Sequence, residues 1–86
     1  MEGEKKLVGR VAHYYSKINV VVIELTGSLV VGDEISLEGE TTNFVQTVES
    51  MQVMHKNVEE AKSGDAIGLK VNEKAREGDS VYKILK

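Results

Sequence analysis

The sequence predicts an all-β domain, a small closed antiparallel β-barrel of six to seven strands. Three observations carry this. Apolar residues recur at period two in short runs rich in Val and Ile, the residue types that favour strands. Gly-bearing turns separate the runs, and one of them, Gly-Asp-x-Ile/Val, is written three times: Gly32-Asp33-Glu34-Ile35, Gly64-Asp65-Ala66-Ile67 and Gly78-Asp79-Ser80-Val81. Proline is absent, so no run is excluded from a sheet. Closing such strands into a barrel would leave no exposed edge.

Leu7 to Tyr15 is the first predicted strand. Gly9, Val11 and His13 share one face, and Arg10 and Ala12 the other. Ser16-Lys17-Ile18-Asn19 reads as a turn into Asn19–Leu25, a β-branched run apolar on both faces. Thr26-Gly27-Ser28 turns the chain towards Leu29 and Val31. Ile35 and Leu37 then alternate with Ser36 and Glu38 as a half-buried strand. After the loop Gly39–Thr42, Phe44 to Met54 reads as one long strand. Its apolar parity switches near Glu49-Ser50, which calls for a bulge or corner. His55 to Ser63 has the only helical character, with Val58 and Ala61 three apart, and is expected to form a turn or a single helical turn. Ile67, Leu69 and Val71 make the next strand, Asn72–Gly78 a loop, and Val81–Leu85 the last strand. Residues 1–5 are expected to be a flexible tail and residues 6–86 the barrel.

The three Gly-Asp units are fold-defining turns in this reading. Gly32, Gly64 and Gly78 reach positive φ without steric cost. Asp33, Asp65 and Asp79 bond nearby backbone N–H groups. The next β-branched residue starts a buried strand face. A cluster of the three carboxylates for metal or acid–base work is disfavoured, because strand-entry turns scatter around a barrel rim.

Composition excludes several functions. The chain has 86 residues, no Cys and a net charge of −3, so no thiolate metal site or disulfide exists and a generic nucleic-acid binder is disfavoured. Two histidines, His13 and His55, are too few for a zinc site. The spacing Gly27 to Gly32 starts like a phosphate-binding loop, but Asp33 and Glu34 stand where Lys and Ser/Thr are required. No cofactor, nucleotide or metal is therefore expected. No apolar run is long enough for a membrane span, and no leader is evident, so a cytoplasmic location is expected. Charge is segregated: Ile18 to His55 contains no Lys or Arg but six acids, Glu24, Asp33, Glu34, Glu38, Glu40 and Glu49. The two ends of the chain carry Lys5, Lys6, Arg10, Lys83 and Lys86, a mildly basic zone where the terminal strands lie together and the candidate surface for RNA or a partner.

The motifs form a set. Gly9-Arg10-Val11, Gly27-Ser28-Leu29, Val31-Gly32-Asp33-Glu34-Ile35, Val48-Glu49-Ser50-Met51-Gln52 and Val58 through Leu69 resemble the second domain of translational GTPases such as elongation factor Tu. They also resemble the barrel appended to some collagenase-like peptidases. The first resemblance implies a stand-alone, non-catalytic binding module associated with translation, with tRNA, rRNA or a translation-related protein as partner. The alternative is an accessory subunit that supplies the barrel in trans to a GTPase or a peptidase-like enzyme.

Overall fold

The computed structural model describes residues 4–85. Among these residues, ten strands occupy two sheets: β1 (Glu4–Tyr15), β2 (Val20–Leu25), β3 (Leu29–Val30), β4 (Glu34–Glu38), β5 (Asn43–Thr47), β6 (Met51–Val53), β7 (Lys56–Val58), β8 (Glu60–Ala61), β9 (Ala66–Lys70) and β10 (Ser80–Leu85). The main sheet has the order β5-β4-β10-β1-β2-β9-β6-β7, and β3 and β8 form a small second sheet. Every pairing is antiparallel.

The expectation of a closed barrel of six to seven strands is corrected: both sheets are open, and β5 and β7 are the free edges of the larger one. The physical reason lies in the middle of the chain. The long strand expected from Phe44 to Met54 breaks into β5 and β6, and the expected helical turn after His55 is instead the return strand β7. β7 pairs only with β6, so no ladder joins it to β5. The parity switch read near Glu49-Ser50 coincides with this break: Phe44, Gln46 and Val48 are buried before it, Met51 after it.

β1 organises the sheet because it is long enough to pair with β10 along its first half and β2 along its second. Its register shifts twice, between Leu7 and Gly9 against β10 and between Val11 and His13 against β2. These bulges explain why Val8 is buried beside Gly9 and Val11, against strict alternation. The expected tail boundary also falls inside β1. Its Glu4 pairs with Leu85 and its Lys5 with Ile84, while residues 1–3 lie outside the described residues. The core is aliphatic, with Val11, Val21, Ile23, Leu29, Ile35, Leu37, Met51, Ile67, Leu69 and Val81 fully buried.

The three Gly-Asp units adopt one geometry. Gly32, Gly64 and Gly78 have φ of 100°, 95° and 90°. The following Asp N–H donates to the carbonyl three residues back, on Val30, Lys62 and Arg76, at 3.0–3.1 Å. The Asp carboxylate accepts the N–H of that same residue at 2.8–3.0 Å. Each unit is thus a turn with Gly at the left-handed third position, locked in both directions by the Asp. Each carboxylate is tied to the backbone of its own turn, and no group of three or more His, Asp or Glu that could hold a metal occurs among the described residues.

Candidate functional site: an apolar groove between two hairpin tips

The β1–β2 and β6–β7 hairpins end side by side over the outer face of β2 and β9. Between them runs a groove lined by Tyr15, Ile18, Val20, Val22, Met54 and His55, with Gly68 in its floor. Gly68 pairs with Val22 on one side and Gln52 on the other, and its missing side chain hollows the sheet surface there. Ile18 is 60% exposed, Tyr15 48% and Met54 86%, an apolar concentration that a small domain does not normally show to water.

Backbone strain marks the same place. Among the described residues, the non-Gly residues at positive φ are Asn19 (54°), Met54 (53°) and His55 (66°), and all three belong to these two tips. Asn19 suits the conformation, and its side chain accepts the Tyr14 hydroxyl at 2.5 Å. Met54 does not, and His55 suits it less well than the Gly that such a turn favours. They fill the two-residue loop between Val53 and Lys56, where the tight hairpin turn favours Asn-Gly. Each left-handed residue costs roughly 1–2 kcal/mol. Replacing Met54-His55 by Asn-Gly is expected to raise the melting temperature by roughly 5–15 °C, measured by calorimetry. Met54 and His55 thus combine positive φ with exposed side chains at the edge of the groove.

The sequence reading missed this site. Its signal was present: an Ile inside a polar turn, and Met-His where a hairpin would carry Asn-Gly. The residues singled out instead lie elsewhere. β1 and β10 do bring Lys5, Lys6 and Lys83 together, Lys6 directly opposite Lys83. Two of these charges are already matched. Lys5 Nζ bonds Glu38 Oε2 at 2.6 Å and lies 5.2 Å from the Tyr82 ring centre. Lys83 Nζ is 3.3 Å from Asp33 Oδ2. The bond from Lys5, and a second from the Ser36 hydroxyl, hold the Glu38 carboxyl below its usual range. Arg10 is exposed further along β1, opposite Glu24 and Ser80, and Lys86 lies outside the described residues. His13 pairs with Glu77 at 2.8 Å, while His55 sits at the groove.

Comparison with known proteins points away from translation. No family model matches the chain. It is 49% identical over 76 residues to an uncharacterised protease of Methanocaldococcus jannaschii, a match covering 87% of this chain and 19% of that protein. It is 37% identical over 82 residues to a collagenase of Porphyromonas gingivalis, covering 93% of this chain and 23% of that one. The chain thus spans about a fifth of the length of the curated relatives it matches. Two crystal structures of the C-terminal domain of a Geobacillus thermoleovorans U32 peptidase share the fold. One has a TM-score of 0.85 at 20% identity over 91% of both chains, the other 0.84 at 19% over 88% of this chain and 96% of that one.

These relatives correct the resemblance to the second domain of elongation factor Tu and the reading built on it. The expected non-enzymatic, translation-associated module, with tRNA, rRNA or a translation-related protein as partner, is overturned: the sequence relatives are proteases and the matching solved domains come from a peptidase. The charge pairing of Lys5 and Lys83 supplies the physical side of the correction, since phosphate would have to displace carboxylates already in contact.

Proposed function

We propose that this chain acts as one domain of a peptidase-type enzyme and that the apolar groove is where it meets the rest of that enzyme. The observation that carries the reading is the 49% identity to a protease of which this chain matches only a fifth. A domain that works beside four-fifths more polypeptide needs a contact surface, and apolar, partly strained surface is the kind that such contacts bury. Tyr15, Ile18 and Met54 then serve as anchors, and the Gly68 hollow receives a side chain from the other portion.

The test uses the Methanocaldococcus jannaschii protease with its matching segment deleted. Peptide hydrolysis is measured on a fluorogenic casein with and without this chain in trans, and association by sedimentation. The parent chain is expected to associate and raise hydrolysis. The Met54→Asn, His55→Gly double variant should melt higher and yet associate roughly tenfold more weakly. Equal association by parent and double variant would refute the role of the groove. No association by either would refute the peptidase reading.

A further inference from the structure

The free edge of β5 faces the chain that follows β9, and one side chain spans the seam between them. The Gln46 amide donates to the Lys70 carbonyl at 2.9 Å and its oxygen accepts the Asn72 N–H at 2.8 Å. Those are the two bonds that the N–H and C=O of one residue in a parallel neighbouring strand, set opposite Val71, would make to this segment. Between them, Val71 N–H points the other way, to the Asn19 carbonyl at 2.8 Å. A backbone laid out for strand pairing is thus satisfied by a side-chain substitute. Beside it lies a cleft of about 270 Å³ lined by Gln46, Thr47, Glu49, Ser50, Lys70 and Asn72.

The other wall of the seam is the outer edge of β5. Gly39 N–H donates to the Thr42 carbonyl, and Val48 N–H to the Asp33 carbonyl, which fixes the hydrogen-bonding phase at both ends of the β4–β5 pair. Alternation then turns the backbone groups of Asn43, Val45 and Thr47 away from β4. Edge strands normally guard such groups with charge, Pro or shortness. The opposite edge, β7, is three residues long and carries Lys56. β5 is five residues, Asn43-Phe44-Val45-Gln46-Thr47, with no charge, and Val45 is 51% exposed. Exposed carboxylates bracket it, Glu40 before and Glu49 after, with Lys70 on the far wall.

We propose that this seam takes an extended polypeptide segment, uncharged at its centre and basic at its ends, as an added strand that displaces the Gln46 amide. The segment's own peptide groups take over the bonds to Lys70 and Asn72 on one side and pair with Val45 and its neighbours on the other. Flanking Lys or Arg side chains meet Glu40 and Glu49. The seam begins at the Lys70 end of β9 and shares no lining residue with the groove, which lies over Ala66–Gly68 of that strand.

The probe is a fluorescent heptapeptide of Val and Thr flanked by lysines, titrated into the full chain by anisotropy. Parent chain should bind it. Val45→Pro removes an N–H that β4 does not use, at an edge where Pro is tolerated, and is expected to leave melting within a few degrees while weakening binding roughly tenfold. Gln46→Ala removes the substitute amide and is expected to tighten binding severalfold. A Glu-flanked peptide should bind roughly tenfold more weakly than the Lys-flanked one at low salt. No binding by the parent, unchanged binding by folded Val45→Pro, weaker binding by Gln46→Ala at a temperature where it is folded, or equal binding of the Glu-flanked peptide would each overturn the proposal.

Discussion

Gln46→Leu is expected to lower the melting temperature of this domain by roughly 5–20 °C. The side chain is 8% exposed, and its amide is the link between β5 and the chain beyond β9. Leucine keeps the volume but returns neither hydrogen bond. Each lost bond costs about 0.5–1.5 kcal/mol, together about 1–3 kcal/mol, and a domain of this size melts about 4–8 °C lower for each kcal/mol. Gln46→Glu separates hydrogen bonding from packing. An ionised carboxylate still accepts from Asn72 N–H, but it presents oxygen to the Lys70 carbonyl and must be desolvated. The introduced carboxyl therefore has its folded pKa raised above the unfolded value near 4.3. The sign follows: the neutral acid is favoured by folding, so the deficit relative to the parent is full above the raised folded pKa. It shrinks as pH falls through that value, where the protonated group donates to Lys70 as the amide did. Melting curves of both variants and the parent between pH 4 and about 8 test this. A Gln46→Glu deficit that grew on acidification would show that the two bonds are not what holds the seam.

The contrast between what the sequence shows and what it hides follows the range of the interactions. The Gly-Asp turns are local: four consecutive residues supply the left-handed glycine, the carbonyl, the N–H and the carboxylate. The inward faces of β2 and β9 are likewise set by alternation within each run. Closure is not local. Whether β5 meets a partner depends on where the chain after Val48 goes, and the two apolar runs Phe44–Val48 and Met51–Val53 look like one strand until the break is seen in space. The groove is hidden for the same reason, since it joins Ile18 and Met54 from hairpins that are distant in sequence. Its local traces are slight, Ile18 inside a polar turn and the lack of an Asn-Gly where the β6–β7 turn favours one. For the basic zone, the sequence puts Lys5 in the tail and Lys83 in the last strand. It hides both their approach across β1 and β10 and the carboxylates Glu38 and Asp33 that meet them.

Gly39→Ala is expected to destabilise by about 2–4 kcal/mol, with melting lower by roughly 10–25 °C. The position looks permissive in sequence, the first residue of a polar loop. In space it is closed: a methyl group on Gly39 would stand 2.0 Å from Asp79 Oδ1 and 2.8 Å from its Cγ. Asp79 cannot simply move aside. It is 5% exposed, and its Oδ2 accepts the Arg76 N–H at 2.8 Å to lock the third Gly-Asp turn. That turn sets up β10, because Val11 N–H donates to the Asp79 carbonyl and Gly78 N–H to the Val11 carbonyl, both at 2.8 Å. The added methyl must therefore either shift the β4–β5 loop, an overpacking cost of about 1–3 kcal/mol, or break a bond to a charged acceptor worth about 1.5–3 kcal/mol. A double-mutant cycle isolates the clash. Asp79→Ala alone loses the turn lock, and adding Gly39→Ala to it should then cost less than about 0.5 kcal/mol, since the obstructing carboxylate is gone. Additive losses in the double variant would place the effect of Gly39→Ala in its own loop and not in the contact with Asp79. Near-complete coupling would show that the glycine exists to let the buried aspartate of the last turn seat against β4.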